Sequence, residues 1–357
     1  MRHIQSHMNR EQHMRQVSNA ENGARSYRMS WLIAIAAILS AQSVTARADD
    51  SADENSALSN LNSTTWVQTS EEYHVLALGS YNQARRMLDI ARLQSNWTAI
   101  PGQTLTDKDG KPLPLAVILD VDETVLDNSP YAAWLLKNKK SYEPETWNKW
   151  VVAEKAKAVP GAVEFVHYAR VQNVKVFFIT NRDFMGKTEV GKDSEKLKQH
   201  TVQNLKKANL LPRKETGHDQ CVFLNDRLSQ DESVMMRGEV YKSDVKTNWG
   251  SDKTSRRNLI AKCYRIVLLL GDVLGDFIGY EKDGKYLDFY KEAETSLNPT
   301  QRRAALKVYE KRWARTWILL PNPGYGSWER AHYDFARNLS AEKMGKKKIE
   351  ALNVWVN

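Results

Sequence analysis

Five short apolar runs recur along the chain, separated by stretches whose apolar residues fall at helical spacing. The runs are LAVIL (115–119), KVFFIT (175–180), CVFLN (221–225), RIVLLLG (265–271) and WILLP (317–321). Each is apolar at consecutive positions, the mark of a strand covered on both faces. Between them, 161–173, 193–209 and 251–264 read as helices. Such β-α-β alternation predicts an α/β fold: a Rossmann-like parallel sheet flanked by helices. Ahead of it, 69–93 predicts a long helix, with Thr69 as its cap and Glu72 completing a capping box. Tyr73, Leu76, Ser80, Ala84, Met87, Leu88 and Ala91 share one face at that spacing. Residues 129–160 and 285–357 break the rhythm and are rich in Trp and Tyr. With 66–96 they predict a smaller, mainly helical lobe beside a sheet core of about 112–282.

The first run ends against its own pattern. LAVIL is followed by Asp120, Asp122 and Glu123, with Thr124 behind them. In open parallel sheets ligands bind beyond the carboxyl ends of the strands, so these acids stand where a site belongs. Other chemistry-bearing residues follow in order at the same ends. Thr180, Asn181 and Arg182 close the second run, Lys253 opens the helix before the fourth, and Asp272 and Asp276 follow that fourth run. Singly, each has an ordinary reading as a cap, a turn or a solvated lysine. Together they form a set for phosphoryl transfer. A carboxylate attacks an anionic phosphate ester only if charge is neutralised locally, and oxygen-only acidic donors suit Mg²⁺. A lysine and hydroxyl donors serve the charged equatorial oxygens. In that reading Asp120 is the nucleophile, and Asp122, two residues on, protonates the leaving oxygen and then activates water. A protonated Asp122 also implies faster turnover in acid.

Composition narrows the class. At 41% hydrophobic and 27% charged residues the 357-residue chain is globular. Of its net +9, residues 1–48 contribute +4, from six Arg and two Glu, so the remainder is only mildly basic. That charge, with no recognisable module, gives no support to a nucleic-acid partner. Arg25 and Arg28 precede the apolar stretch 31–41, and Ala46-Arg47-Ala48 offers a cleavage site. The stretch falls short of the roughly 18 residues a membrane span needs. The reading is a signal peptide (1–48), a polar linker (49–65) and export to the periplasm or medium, with no stable membrane insertion after cleavage. No cysteine stands near the signal to take a lipid; the chain has only Cys221 and Cys263, and a bridge between them stays open.

In these motifs the chain resembles the haloacid dehalogenase superfamily, and within it the bacterial class C acid phosphatases of the lipoprotein e, 5′-nucleotidase type. The likeness runs through WVQTSEEY (66–73), DVDETVLDNSPY (120–131), AVPGAVEFVHYAR (158–170), FFITNR (177–182), GDVLGDF (271–277) and LLPNPGYGSWE (319–329). It implies a haloacid-dehalogenase-like fold, Asp120 as nucleophile and Asp122 as acid/base. It implies Mg²⁺ held by Asp120, the backbone carbonyl of Asp122 and Asp272, with Asp276 in support. Thr180, Asn181 and Lys253 would bind the phosphoryl group. Trp147 and Tyr325 would stack on a nucleobase; without the resemblance they are core or interface aromatics. Two departures stand out: Val273 where the family has Asn, and the extra stretch 227–250 before Lys253. The expected activity is Mg²⁺-dependent hydrolysis of phosphate monoesters, nucleoside monophosphates foremost. The alternatives are a phosphomonoesterase without nucleotide preference and a non-catalytic nucleotide- or haem-binding surface protein.

Overall fold

A computed structural model describes residues 59–184, 197–212, 233–239, 249–279, 298–336 and 339–355. The described strands are β1 (Leu115–Leu119), β2 (Leu126–Asp127), β3 (Lys157–Ala158), β4 (Lys175–Asp183), β5 (Val234–Arg237), β6 (Arg265–Gly271) and β7 (Trp317–Leu319). Five form one sheet in the order β5-β4-β1-β6-β7, and every pair in it is parallel. The predicted parallel sheet is therefore present. The run 221–225 lies outside the described residues, as do the signal segment 1–48 and most of 227–250. Within that last stretch Val234–Arg237 forms the strand that pairs with β4.

The consecutive apolar positions divide between the two faces of the sheet, because successive side chains on a strand point opposite ways. Val117, Leu119, Val176, Phe178 and Leu270 belong to one apolar cluster. Ala116, Ile118, Phe177, Ile179 and Leu269 belong to another. Helices α2 (Glu71–Leu93), α5 (Ala162–Val171) and α6 (Leu197–Lys207) bury residues in the first cluster. Helices α7 (Thr254–Ala261) and α8 (Pro299–Val308) bury Ile260 and Ala305 in the second.

Helix α2 differs in detail from its sequence pattern. Its cap is Ser70, whose hydroxyl accepts from the Tyr73 amide at 3.2 Å. Thr69 is the last residue of helix α1 (Leu61–Thr69), and its hydroxyl donates back to the Thr65 carbonyl at 2.7 Å. With helix on both sides, only the extended Ser70 has the conformation a cap needs. The buried face carries Ala77 and Tyr81 in addition to Tyr73, Ala84, Leu88 and Ala91, while Leu76 is 52% exposed.

Between β1 and β4 the chain makes an excursion. Helices α3 (Ser129–Lys137) and α4 (Pro144–Ala153) follow directly on the acidic segment. The antiparallel pair β2–β3 closes their base, Leu126 opposite Ala158 and Asp127 opposite Lys157. The excursion thus stands on the loop that carries the acids. Cys263 is disulfide-bonded, and the chain's other cysteine, Cys221, lies outside the described residues.

Candidate active site

With β1 between β4 and β6, the chain leaves β1 towards β4 on one side and later returns to β6 on the other. That reversal opens a crevice at the carboxyl ends of the three strands. Asp120 follows β1 directly; its amide donates to the Leu270 carbonyl at 2.9 Å, tying it to β6. The next residues turn tightly. The Val121 carbonyl accepts from the amides of both Val125 and Leu126, at 2.9 and 2.8 Å, and Glu123 takes a left-handed backbone with φ 57°. The turn returns Thr124 to the first aspartate: its hydroxyl lies 3.4 Å from Asp120 Oδ2 and 3.0 Å from Asp272 Oδ1.

On the β6 side, Asp276 folds back over its own strand end. Its Oδ2 accepts from the amides of Asp272 and Val273, at 3.0 and 3.1 Å. Its Oδ1 accepts from Lys253 Nζ at 2.6 Å. Lys253 also donates to Asp120 Oδ1, so one ammonium group joins the two acids. All three side chains are buried. Asp272 is held from the far side by Asn322, whose Nδ2 donates to its Oδ2 at 2.7 Å.

Asp122 belongs to a second group. Its Oδ1 accepts from Asn128 Nδ2 at 2.9 Å and from Arg182 Nε at 2.9 Å, and lies 2.7 Å from Arg182 Nη2. Its Oδ2 accepts from the Thr180 hydroxyl at 3.2 Å. Asn181 is exposed and turns to the segment before α7: its Nδ2 donates to the Ser251 carbonyl at 3.0 Å, and its Oδ1 accepts from Arg256 at 2.8 Å. Arg256 also donates to the Thr180 carbonyl at 2.7 Å, so this pair locks the end of β4 to the segment that carries Lys253.

The two aromatic candidates reach the acidic segment by separate routes. Trp147, on α4, lies under the Arg182 guanidinium, 5.6 Å from ring centre to carbon, and meets the Tyr131 ring edge-on at 5.2 Å. Tyr325 is 44% exposed, and its hydroxyl donates to Glu123 Oε2.

The electrostatics are those of acids crowded out of water. Burial pushes Asp120 up to about 7; Lys253 pulls against that shift, and Asp276 and Asp122 add to it. Burial, then Asp276 and Asp120, hold Asp272 well above the carboxylate range. Burial works against the Lys253 charge, yet Asp120 and Asp276 outweigh it and hold its pKa up. A divalent cation would relieve this crowding. Among the described residues, Asp120, Asp272 and Asp276 bring oxygens within 4.8 Å of one another. Asp276 is engaged by Lys253 and two backbone amides, while Asp120 and Asp272 share the Thr124 hydroxyl. All-oxygen donors match a hard divalent cation.

Arg182, Asn128, Asn322 and Gly271 were not singled out as site residues from sequence. All four lie within the quoted motifs, Arg182 in FFITNR, Asn128 in DVDETVLDNSPY, Gly271 in GDVLGDF and Asn322 in LLPNPGYGSWE, and that placement is the signal the sequence carried.

The family model for subfamily IIIB of the haloacid dehalogenase superfamily, the acid phosphatases, matches residues 36–328. The chain belongs to this acid phosphatase family. Solved structures agree. The class C acid phosphatase from Bacillus anthracis superimposes with a TM-score of 0.62 at 25% identity, covering 85% of this chain and 100% of that one. The same enzyme with tungstate bound gives 0.61 at 25% identity, covering 84% and 99%. The acid phosphatase is accordingly a phosphomonoesterase of small-molecule esters with a haloacid-dehalogenase fold.

Proposed function

We propose that this phosphomonoesterase is an exported, Mg²⁺-dependent enzyme acting on 5′-nucleotides through a phosphoryl group carried on Asp120. The observation that carries the reading is the Lys253 bridge between Asp120 and Asp276, beside Asp272 and two residues from Asp122. Lys253 neutralises Asp120 when the anionic ester approaches and gives the transferring phosphoryl oxygens a cation. Asp120 forms the new bond to phosphorus as the ester oxygen departs, and Asp122 supplies that oxygen with a proton. Asp122 then takes a proton from the water that releases phosphate. Thr180 completes the phosphoryl cradle, and Asn181, whose side chain is engaged by Ser251 and Arg256, serves it by holding the end of β4 to the segment that carries Lys253. A divalent ion held by Asp120, Asp272 and the Asp122 carbonyl would supply further neutralisation of phosphoryl oxygens as a Lewis acid. Asp276 supports that site by holding the Asp272 backbone and Lys253.

The nucleotide preference rests on Trp147 and Tyr325. Aromatic faces suit a base of any identity, and Tyr325 is both exposed and joined to Glu123. A broader specificity is favoured by a different observation: Trp147 already packs against the Arg182 guanidinium and the Tyr131 ring. The ratio of kcat/KM for AMP to that for a sugar phosphate separates the two. Export is supported by the signal-like N-terminus and by the disulfide at Cys263, since such bonds persist in oxidising compartments. No helix among the described residues is long and apolar enough to cross a membrane.

The deciding experiment is phosphate release from AMP at about pH 5.5, since acid conditions favour protonation of the leaving oxygen. It is run on the protein from Asp49 onward with Mg²⁺, with EDTA, and with Asp120→Asn. Metal-dependent release that the substitution abolishes supports the reading; release that survives Asp120→Asn refutes it. At saturating Mg²⁺ the rate is expected to fall towards alkaline pH, and a steady rise would count against Asp122 as the proton donor.

A further inference from the structure

The chemistry above gives Arg182 no part, although it is 2% exposed and lies against the proposed acid/base. The contacts of Asp122 are unequal. Oδ1 faces three N–H donors, from Asn128 Nδ2, Arg182 Nε and Arg182 Nη2. None of these groups accepts a proton in return, since guanidinium and amide N–H are donors only. Among the described residues, Oδ2 has one partner, the Thr180 hydroxyl, which either donates or accepts. A proton on Asp122 therefore belongs on Oδ2.

The arginine is itself held from the excursion. Its Nη2 donates to Asn128 Oδ1 at 3.3 Å, and that oxygen also accepts from Trp150 Nε1 at 2.8 Å. Its guanidinium lies over Trp147, and Nη1 is 3.5 Å from the Thr201 hydroxyl. Trp147 and Trp150 both stand on α4. The fork is thus fixed in plane and direction by a ring, an amide and a hydroxyl, as an ammonium on a flexible stem would not be.

We infer that Arg182 is a positioning residue that clamps Asp122 through Oδ1, so that Oδ2 alone exchanges the proton with the leaving oxygen. The inference rests on Asp122 being the acid/base. In the step concerned, an Asp120 oxygen bonds to phosphorus and the phosphorus–ester bond breaks. The electron pair stays on the leaving oxygen, which takes the proton from Oδ2. An arginine that merely braced the fold, or bound a phosphoryl oxygen, would serve every ester alike. A clamp on the proton donor matters only where the leaving group needs a proton.

The test is kcat/KM, which reports steps up to departure of the leaving group, for p-nitrophenyl phosphate and for glycerol 2-phosphate. The nitrophenolate leaves unprotonated, whereas the alkoxide does not. Wild type, Arg182→Met, Arg182→Lys and Asp122→Asn are compared in Mg²⁺. The ratio of the alkyl to the aryl ester is expected to fall at least ~10-fold in Arg182→Met and by about 10²–10⁴-fold in Asp122→Asn, the range of general acid catalysis. Should Arg182→Met fail to fold, Arg182→Lys keeps the charge but lacks the fork, and a fall in its ratio gives the same support. Arg182 variants that lower both esters equally, while Asp122→Asn collapses the ratio, overturn the clamp and leave the acid/base reading standing. An unchanged ratio in Asp122→Asn overturns the acid/base reading, and the clamp with it.

Discussion

A methyl group on Gly271 would lie 2.3 Å from Cβ of Asp276 and 2.2 Å from its Oδ2. No real Cβ tolerates that approach, so the last residue of β6 must be glycine for Asp276 to fold back over the strand end. Through that fold Asp276 holds the amides of Asp272 and Val273 and receives Lys253. Gly271→Ala is expected to cost about 1–3 kcal/mol, as other overpacked sites do. It should also lower kcat/KM by around 10²-fold, since displacement of Lys253 and Asp272 by about 1 Å is enough. Denaturant unfolding and phosphate release measure the two effects. Wild-type activity in this variant would show that Asp276 does not brace the site. Val273 belongs to the same loop: its amide serves Asp276, while the carboxylate of Asp272 is held by Asn322.

Helix α2 shows how one element reaches the site without contributing a reactive group. Tyr81, 3% exposed on its inner face, donates its hydroxyl proton to the Thr124 carbonyl at 2.6 Å. The close fit extends to Gly161, whose φ of 87° requires glycine and whose absent Cβ would lie 3.0 Å from that of Tyr81. Tyr81→Phe keeps the packing but leaves a buried carbonyl without its donor, at an expected cost of about 1–3 kcal/mol. Thr124 touches Asp120 and Asp272, so kcat should fall as well, while thermal unfolding stays cooperative. A Tyr81→Phe protein of unchanged stability would show that another donor reaches that carbonyl. The periodicity placed this helix correctly but shifted its cap by one residue, because two helices abut at Ser70 and only backbone conformation tells which of Thr69 and Ser70 is free. Likewise Val234–Arg237 is short and ends in arginine, and what makes it a strand is the open edge of β4.

For the molecule as a whole, the buried acids link stability to pH and to metal. Asp120 rises from 3.8 to about 7, so between those values the folded chain holds a proton that the unfolded chain lacks. Stability of the metal-free protein therefore falls as pH climbs through that window, since there the folded state binds more protons. A divalent cation competes with the proton and replaces it. The midpoint of thermal unfolding should accordingly rise on adding Mg²⁺ by more at about pH 7.5 than at about pH 5, where the ion must first displace the proton that Asp120 holds in the metal-free protein. EDTA should remove the difference. An equal Mg²⁺ shift at both values would mean that the ion binds away from Asp120.

The sequence by itself determined the sheet, the crevice and the acids at its mouth. Apolar runs, helical spacing and strand-end residues are local features, and parallel topology places every carboxyl end on one side. It also set out most of the proposed reactive set, Asp120, Asp122, Thr180, Lys253, Asp272 and Asp276, in chain order. Only the tertiary structure decided which of them touch. Lys253 meets Asp120 across 133 positions, Thr124 meets Asp272 across 148, and Arg182 meets Asp122 across 60. No local pattern records such contacts, because they depend on strand order and on how far each loop turns back. For the same reason Asn181 lies against Arg256 and Trp147 lies under Arg182, and nothing local in GDVLGDF tells that its first glycine is there to admit Asp276.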